Sequence, residues 1–179
     1  MKKVVIILGS VAEQSHTRAL LEYIDSLLSE QGIDTTWWDP RKSPLVFAIP
    51  ELHKEPEKTP DENVKAFVKL VRGADGFVIG SPLYHGSFSG VLKNALDNLW
   101  ADAFRDKPVA LVGNGSGPTS PNLRPVDHLL IVARTMYGRP LQTTIGTNKS
   151  NYSEIDGKLV LVDEDIKQRA KKMVDELIG

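Results

Sequence analysis

The segment 80–89 contains the residue types best suited to binding a flat, heteroaromatic group. It reads Gly-Ser-Pro-Leu-Tyr-His-Gly-Ser-Phe-Ser. A ring of that kind needs an apolar or aromatic surface against its face and backbone hydrogen bonds at its edge. Tyr84 offers such a surface with a polar tip, and Gly86 lets the backbone approach closely. We therefore interpret the segment as one wall of a ligand site, the alternative being an ordinary loop with a surface Tyr and His.

Two other segments combine polar residues with glycine. Segment 9–17 carries the hydroxyls of Ser10, Ser15 and Thr17 where a helix is predicted to begin, and the N–H groups at a helix start suit a phosphate. The same hydroxyls would also serve as helix caps, and both interpretations stay open. The segment has neither the Lys of a Walker A loop nor the Gly-x-Gly-x-x-Gly of a dinucleotide site. Segment 113–122 is rich in glycine and could donate N–H groups to a ring carbonyl, or form a plain turn.

Strands and helices alternate strictly along the chain around these segments. Continuous apolar runs predict parallel strands at 4–8, 77–79 and 109–112. A shorter and more polar stretch at 35–38 is predicted to be an edge strand, and 141–145 is predicted to be the fifth strand. Apolar residues at helical spacing predict helices around 20–28, 64–71, 91–99, 124–137 and 163–178. Two stretches follow neither pattern: 146–157 is predicted to be a polar loop, and 39–60 contains five prolines and could line the ligand cleft.

Five β–α units predict an α/β fold, with one doubly wound parallel sheet that has helices on both faces. At 179 residues the chain is expected to form a single domain, 1–179. Right-handed crossovers leave few strand orders, and the flavodoxin-like order 2-1-3-4-5 uses five strands without remainder. In that order a crevice opens between the first and third strands at their carboxyl ends. The three polar segments would therefore meet at one rim of the sheet.

Composition narrows the range of functions. The net charge is −1 and no basic stripe stands out, so nucleic acid is not an expected partner. The chain has no cysteine, which excludes disulfides, thiol nucleophiles and iron–sulfur clusters. Its four histidines are scattered, so no metal site is expected. No signal peptide or membrane-spanning segment is predicted, and we expect a cytoplasmic protein with no membrane partner.

Two other functional classes are disfavoured because their residues are missing. A signalling receiver domain of the same topology needs paired acids after the first strand, where this chain has Leu8-Gly9-Ser10. It also needs an Asp after the third strand, where the chain has Gly80-Ser81. A hydrolase of the α/β type would carry a Gly-x-Ser-x-Gly elbow, and none occurs.

The residues of the first two segments resemble a known family. Gly9-Ser10 with Ser15 and Thr17, followed by the stretch 80–97, is similar to the NADPH-dependent FMN reductases, which include flavodoxin-fold azo, quinone and chromate reductases. Their hallmark is a Pro-Glu-Tyr-Asn-like loop that runs into Gly-x-Leu-Lys-Asn-Ala-x-Asp, matched here by Gly90-Val-Leu-Lys-Asn-Ala-Leu-Asp97. The order and spacing of the elements agree with the family over essentially the whole chain.

The resemblance implies non-covalently bound FMN, with NAD(P)H as co-substrate, and assigns residues to it. The phosphate would be held by Ser10, Ser15 and Thr17. The isoalloxazine ring would be lined by Pro82, Leu83, Tyr84, His85 and Gly86. The pyrimidine edge of the ring would lie near Asn114, Gly115 and Ser116. No catalytic acid or base is expected, since the flavin carries the chemistry, and Tyr84 and His85 would shape a platform for the nicotinamide.

The chain departs from the family pattern at three positions. Ala12 stands where the first loop of the family often has an arginine, so the phosphate would lose a charge-assisted contact and affinity would be lower. Leu83 and His85 stand where the second loop has Glu and Asn. We therefore expect backbone hydrogen bonds to replace side-chain hydrogen bonds to the ring.

The implied function is an FMN-dependent NAD(P)H oxidoreductase. A hydride would pass from NAD(P)H to bound FMN, and two electrons would pass on to a quinone, an azo compound, a free flavin or a metal oxyanion. The alternative is an electron-transfer flavodoxin without its own NAD(P)H oxidation, although such proteins are usually strongly acidic. The fourth predicted helix is apolar nearly all round and needs burial on two sides, which predicts a homodimer or homotetramer.

Overall fold

A computed structural model describes residues 2–115, 117 and 123–179. The central sheet contains six parallel strands: β1 Lys3–Leu8, β2 Asp34–Trp38, β3 Gly76–Pro82, β4 Pro108–Asn114, β5 Arg139–Pro140 and β6 Ile145–Thr147. An antiparallel hairpin follows, made of β7 Tyr152–Ile155 and β8 Lys158–Leu161. The helices are α1 His16–Glu30, α2 Glu62–Arg72, α3 Gly90–Asp97, α4 Arg124–Thr135 and α5 Glu164–Ile178.

The sheet has the strand order β2-β1-β3-β4-β5, which confirms the predicted flavodoxin-like topology. Side chains of one strand alternate between its two faces. In β1, Val5 and Ile7 join the core under α2, α3 and α4, whereas Val4, Ile6 and Leu8 join the core under α1 and α5. Both faces of the sheet are thus covered by helices, as the unbroken apolar strands predicted.

The prediction for the last strand, 141–145, was wrong in its bounds. Two short strands replace it, and both pair with the edge of β4 opposite β3: β5 near the start of β4 and β6 near its end. Between them the backbone leaves the sheet because Thr143 is held elsewhere: its N–H and its hydroxyl donate to the carboxylate of Glu176 in α5 at 3.0 and 2.6 Å. This contact between distant segments leaves no trace in the local apolar pattern.

The predicted polar loop 146–157 was also wrong, since it contains the end of β6 and the whole of β7. The hairpin turns at Asp156-Gly157, where φ is +51° and +75°. Asp-Gly with both φ angles positive is typical of the tight turn between two antiparallel strands. That dipeptide, flanked by Ile155 and Leu159, was the sequence signal for the hairpin.

The carboxyl ends of β1 and β3 are in direct backbone contact. The N–H of Gly9 donates to the carbonyl of Gly80 at 2.7 Å. A Cβ atom on residue 9 would lie 2.8 Å from that same carbonyl oxygen, closer than real Cβ atoms come. Glycine at position 9 is therefore needed for the two loops that follow these strands to stay adjacent.

We predict that Gly9→Ala lowers the free energy of unfolding by about 1–3 kcal/mol, because the added methyl group forces β1 and β3 apart. Urea denaturation measures this loss. Gly90→Ala is the matched control, since a Cβ there meets nothing within 4 Å, and it should leave stability unchanged or slightly raised. Equal stability of the two variants would contradict the steric argument.

Candidate functional site

The amino terminus of α1 lies at the end of the first polar loop. Ser15 caps the helix: its hydroxyl accepts a hydrogen bond from the N–H of Arg18 at 3.2 Å and donates to the hydroxyl of Ser10 at 2.9 Å. The N–H groups of His16 and Thr17 belong to the first turn and have no acceptor within the helix. Free N–H groups at a helix start form a ready site for an anion.

Ser10 and Thr17 differ from Ser15 in that neither caps the helix. The hydroxyl oxygen of Ser10 accepts hydrogen bonds from Ser15 and from the N–H of Ala12, so its own proton remains available to a ligand. Thr17 is 2% exposed, and among the residues that the structure describes nothing hydrogen-bonds to its hydroxyl. Ser15 is thus the cap, whereas the hydroxyls of Ser10 and Thr17 are left able to donate to a ligand, and their role in holding a phosphate stays a prediction.

The second polar loop folds into a tight two-residue turn. Tyr84 and Ser87 exchange two backbone hydrogen bonds of 2.9 and 3.0 Å around His85 and Gly86. The φ angles of these central residues are +48° and +85°, a combination typical of a type I′ turn, in which Asn and Gly are preferred. His85 tolerates this left-handed conformation, as the Asn expected from the family resemblance also would.

Two buried serines attach this loop to the first one. The hydroxyl of Ser89 donates to the carbonyl of Gly9 at 2.6 Å, and the N–H of Ser89 donates to the hydroxyl of Ser81 at 2.9 Å. Ser89 also caps α3 by accepting from the N–H of Leu92. Our sequence analysis did not single out either serine, although a Ser just before a helix is a recognisable cap signal.

Helix α4 supports the same turn from the other side. Nδ1 of His128 lies 2.8 Å from the hydroxyl of Ser87. On the same turn, Tyr84 is 49% exposed and His85 is also exposed. The rim of the sheet therefore presents a tyrosine and a histidine to solvent on a turn whose backbone is held by hydrogen bonds.

The third polar loop is joined to its neighbours through backbone and side chains. The N–H of Leu83 donates to the carbonyl of Asn114 at 2.7 Å, and the N–H of Gly115 donates to the carbonyl of Thr147 at 2.9 Å. The side-chain amide of Asn114 donates to the hydroxyl of Thr147 at 3.0 Å. Ser116, predicted to lie near the pyrimidine edge, is outside the described residues.

Tyr152 links the third loop back to the first. Its hydroxyl lies 2.8 Å from the hydroxyl of Thr147, and its ring meets the ring of His16 edge-on, with 4.9 Å between the centroids. Burial raises the pKa of Tyr152, so the phenol stays protonated and bridges the two loops. Sequence analysis missed this residue because it lies in the hairpin that was predicted as loop.

Comparison with known proteins identifies the family of the chain. The family described as NADPH-dependent FMN reductase matches residues 2–150. The chain belongs to the NADPH-dependent FMN reductase family. An FMN-dependent NADPH-azoreductase from Staphylococcus haemolyticus is 38% identical over 181 residues, which cover 99% of this chain and 94% of that protein.

Solved structures agree with the fold of this FMN reductase. An NADH:FMN oxidoreductase (EMOB) in its apo form superposes with a TM-score of 0.78 at 22% identity, covering 99% of this chain and 88% of that one. The flavoenzyme NAD(P)H:(acceptor) oxidoreductase FerB from Paracoccus denitrificans gives a TM-score of 0.73 at 19% identity, covering 99% and 98%. Likeness at these identities concerns the fold alone.

Family membership confirms the predicted enzyme class, an FMN-dependent NAD(P)H oxidoreductase, together with its cofactor and co-substrate. The individual site residues remain predictions, but their arrangement fits a flavin mononucleotide. The unpartnered hydroxyl of Thr17 and the free N–H groups of α1 suit its phosphate, and the exposed ring of Tyr84 suits its ring system. Among the residues described, no group of three His, Asp or Glu side chains could hold a metal ion.

The reductase carries paired charges on the β2 side of the first loop. Arg18 contacts the carboxylate of Asp39 at 2.7 Å. Burial opposes a charge on Asp39, but hydrogen bonds from Arg18 and the Arg41 N–H, with the charges of Arg18 and Lys42, hold its pKa below the usual range. Arg41 also lies 3.9 Å from Glu13. These cations therefore have acidic partners close by.

The long loop 39–60 runs along α2 and α3. Amide side chains hold it: Asn63 donates to the carbonyl of Pro44, and Asn94 of α3 and Asn98 just after α3 both donate to the carbonyl of Val46. At this point Phe47 is 85% exposed. The loop is thus fixed beside α3, and the predicted role as a wall of the cleft remains a prediction.

A cavity of about 660 Å³ lies at the opposite end of the sheet, bordered by Asp75, Arg139 and Glu176. Two of its carboxylates already have partners, since Asp75 accepts from the N–H of Lys3 and Glu176 accepts from Thr143. Ligands of open α/β sheets bind at the carboxyl ends of the strands, and this cavity is at the other ends. We therefore place the functional site at the rim formed by the three polar loops.

We predict that His85→Asn leaves stability and FMN affinity unchanged, whereas His85→Val lowers the free energy of unfolding by about 1–2 kcal/mol and weakens FMN binding. The reason is that a β-branched residue resists the positive φ that Asn accepts. Urea denaturation and FMN titration measure both effects. An equal loss of FMN affinity in the two variants would show instead that the imidazole itself contacts the cofactor.

Proposed function

We propose that residues 1–179 form one domain that holds FMN across the three polar loops and reduces an azo compound with electrons from NAD(P)H. The observation that carries the proposal is the cluster of unused donors at the start of α1, on the same rim as the fixed turn that presents Tyr84. One end of this rim suits a phosphate and the other suits a flat ring. Bound FMN would supply the hydride and electron-transfer chemistry.

Each loop has a separate task in this proposal. The hydroxyl groups of Ser10 and Thr17 donate hydrogen bonds to the phosphate. Ser15 caps α1 and orients the hydroxyl of Ser10. The backbone of 82–86 lines the ring, and the exposed Tyr84 gives the nicotinamide a surface on which to lie. Asn114 and Gly115 approach the pyrimidine edge through their backbone, since the Asn114 amide group donates to Thr147. Ser116 is assigned to the same edge from the family resemblance alone.

An azo compound is the acceptor class that we favour among those implied by the sequence. Support comes from the Staphylococcus haemolyticus relative, which is named an azoreductase and aligns over nearly its whole length. A flat, conjugated acceptor also suits the exposed face of Tyr84 better than a small oxyanion would. Quinones, free flavins and metal oxyanions are the other acceptors to compare.

The test is a reaction of the FMN-loaded protein with NADPH and with NADH in anaerobic stopped flow. We expect rapid loss of the flavin absorbance near about 450 nm, followed by its return when an azo dye is added and decolorised. A flavin that stays oxidised with both nucleotides would indicate the alternative, an electron-transfer flavodoxin. Reduction by NADPH without reoxidation by the dye would refute the azo acceptor alone.

A cytoplasmic location is part of the proposal, because the reductant NAD(P)H is an intracellular coenzyme and a chain without cysteine has no need of an oxidising compartment. Among the described residues, the helices are too short or too polar to cross a membrane.

We infer that two copies of the chain associate through the surface of α3 and α4. The apolar side of α4 that faces the sheet is buried, but Ile131 on its outer side is 65% exposed. A groove of about 270 Å³ beside it is bordered by Leu96, Leu99, Val132 and Met136. An exposed apolar patch of this kind is typical of a protein interface, and a second copy would cover it by twofold symmetry.

We predict that Ile131→Glu converts the dimer, or a tetramer built from it, into smaller species, because it places a charge in the centre of the apolar surface. Light scattering after gel filtration at micromolar concentration measures the mass. Ile155→Glu on the hairpin β7–β8 is the control and should not change it. A monomeric parent protein would contradict the proposed interface.

A further inference from the structure

The first loop offers a phosphate no positive side chain of its own. Segment 9–17 contains neither Lys nor Arg, and it carries the carboxylate of Glu13. The amino terminus of α1 contributes only about half a positive charge, whereas a phosphate monoester carries about −1.5 to −2 near neutral pH. The balancing charge must come from another segment.

Two cations on the β2 side, Arg18 and Arg41, already have acidic partners. Arg18 forms an ion pair with Asp39 at 2.7 Å, and Arg41 pairs with Glu13 at 3.9 Å while its N–H donates to Asp39. Moving Arg18 toward a phosphate would leave the buried carboxylate of Asp39 uncompensated, which is costly. Arg18 therefore has little charge to give to a ligand.

Lys149 lies on the other side of the loop, on a turn with a fixed backbone. Asn148 accepts from the N–H of Ser150 at 2.8 Å, and Asn151 accepts from the N–H of Asn148 at 2.8 Å. The amide of Asn151 donates in turn to Asp163 at 2.7 Å. Lys149 is exposed between these anchored residues, and within the described part of the chain it forms no ion pair.

This turn is adjacent to the amino terminus of α1. Tyr152, three residues after Lys149, packs against the ring of His16, the first residue of α1, with 4.9 Å between the centroids. The pKa of His16 is lowered by burial and, second, by the charge of Lys149. The ammonium group therefore acts within electrostatic range of the helix start.

We propose that Lys149 supplies the positive charge that balances the phosphate of bound FMN at the amino terminus of α1. The proposal rests on the function proposed above. It replaces our expectation of a weakened phosphate site: the charge absent at Ala12 is provided by a turn that follows β6, far away in the sequence. Glu13 extends into solvent, where its opposing charge is weakened by water.

The test compares the apo forms of the parent protein, Lys149→Gln and Lys69→Gln in titrations with FMN at low salt. We expect the dissociation constant of Lys149→Gln to rise about five- to tenfold. Lys69 is exposed in the last turn of α2, on the other face of the sheet. Its variant has the same net charge and should bind FMN as the parent does.

Riboflavin is the second ligand because it lacks the phosphate. All three proteins should bind riboflavin equally, and the difference for FMN should shrink in about 1 M salt, where charges are screened over about 3 Å. Equal FMN binding by the parent and Lys149→Gln would overturn the role of Lys149. An equal loss of affinity for FMN and for riboflavin in Lys149→Gln would also overturn it. A parent protein that binds neither ligand would refute the proposed function itself.

A measurement without cofactor checks the position of Lys149. Loss of a neighbouring positive charge favours protonation of an imidazole, so the pKa of His16 should rise in apo Lys149→Gln, observed by NMR titration. It should stay below the ordinary value because the burial of His16 is unchanged. An unaltered His16 titration would place Lys149 too far from α1 to act on a phosphate there.

Discussion

The contact between the ends of β1 and β3 is the constraint on which the site depends. The N–H of Gly9 donates to the carbonyl of Gly80, and the hydroxyl of Ser89 returns to the carbonyl of Gly9. Together these bonds hold the first loop against the second with no room for a side chain at position 9. A ligand that needs a phosphate site at one end and a ring site at the other requires this fixed separation, because binding then costs little ordering of the protein.

Most of the fold could be predicted from the sequence because its strands are buried on both faces. Continuous apolar runs identify such strands, and right-handed crossovers then leave only a few strand orders, among them the one observed. The region after α4 could not be predicted in the same way. There Thr143 bonds to Glu176 instead of to the sheet, and a contact between segments 33 residues apart does not affect local periodicity. Only the Asp156-Gly157 turn of the hairpin had a local signal.

The sequence predicted which loops form the candidate site, but it predicted less well what each residue in those loops does. Hydroxyls at a helix start are ambiguous in sequence, and geometry separates the cap Ser15 from Ser10 and Thr17, which do not cap the helix. His85 looked like a ring contact, and its positive φ gives it a backbone role that any residue tolerant of that conformation could fill. Tyr152 was missed because it reaches the site through the tertiary fold.

The positive charge available to a phosphate at the rim also depends on the tertiary fold. The residues of segment 9–17 alone predict weak phosphate binding, because the segment contains neither Lys nor Arg. In the folded chain, Arg18 and Lys149 bring positive charge to this segment, and they differ in whether an acidic residue already pairs with them. Arg18 on the β2 side is neutralised by a buried carboxylate, whereas Lys149 on the β6 side is held on a rigid turn with no acidic partner in the described chain. An incoming anion gains only from charge that is not already compensated. The departure at Ala12 therefore need not weaken binding, since the fold can supply the same charge from a segment whose sequence gives no sign of it.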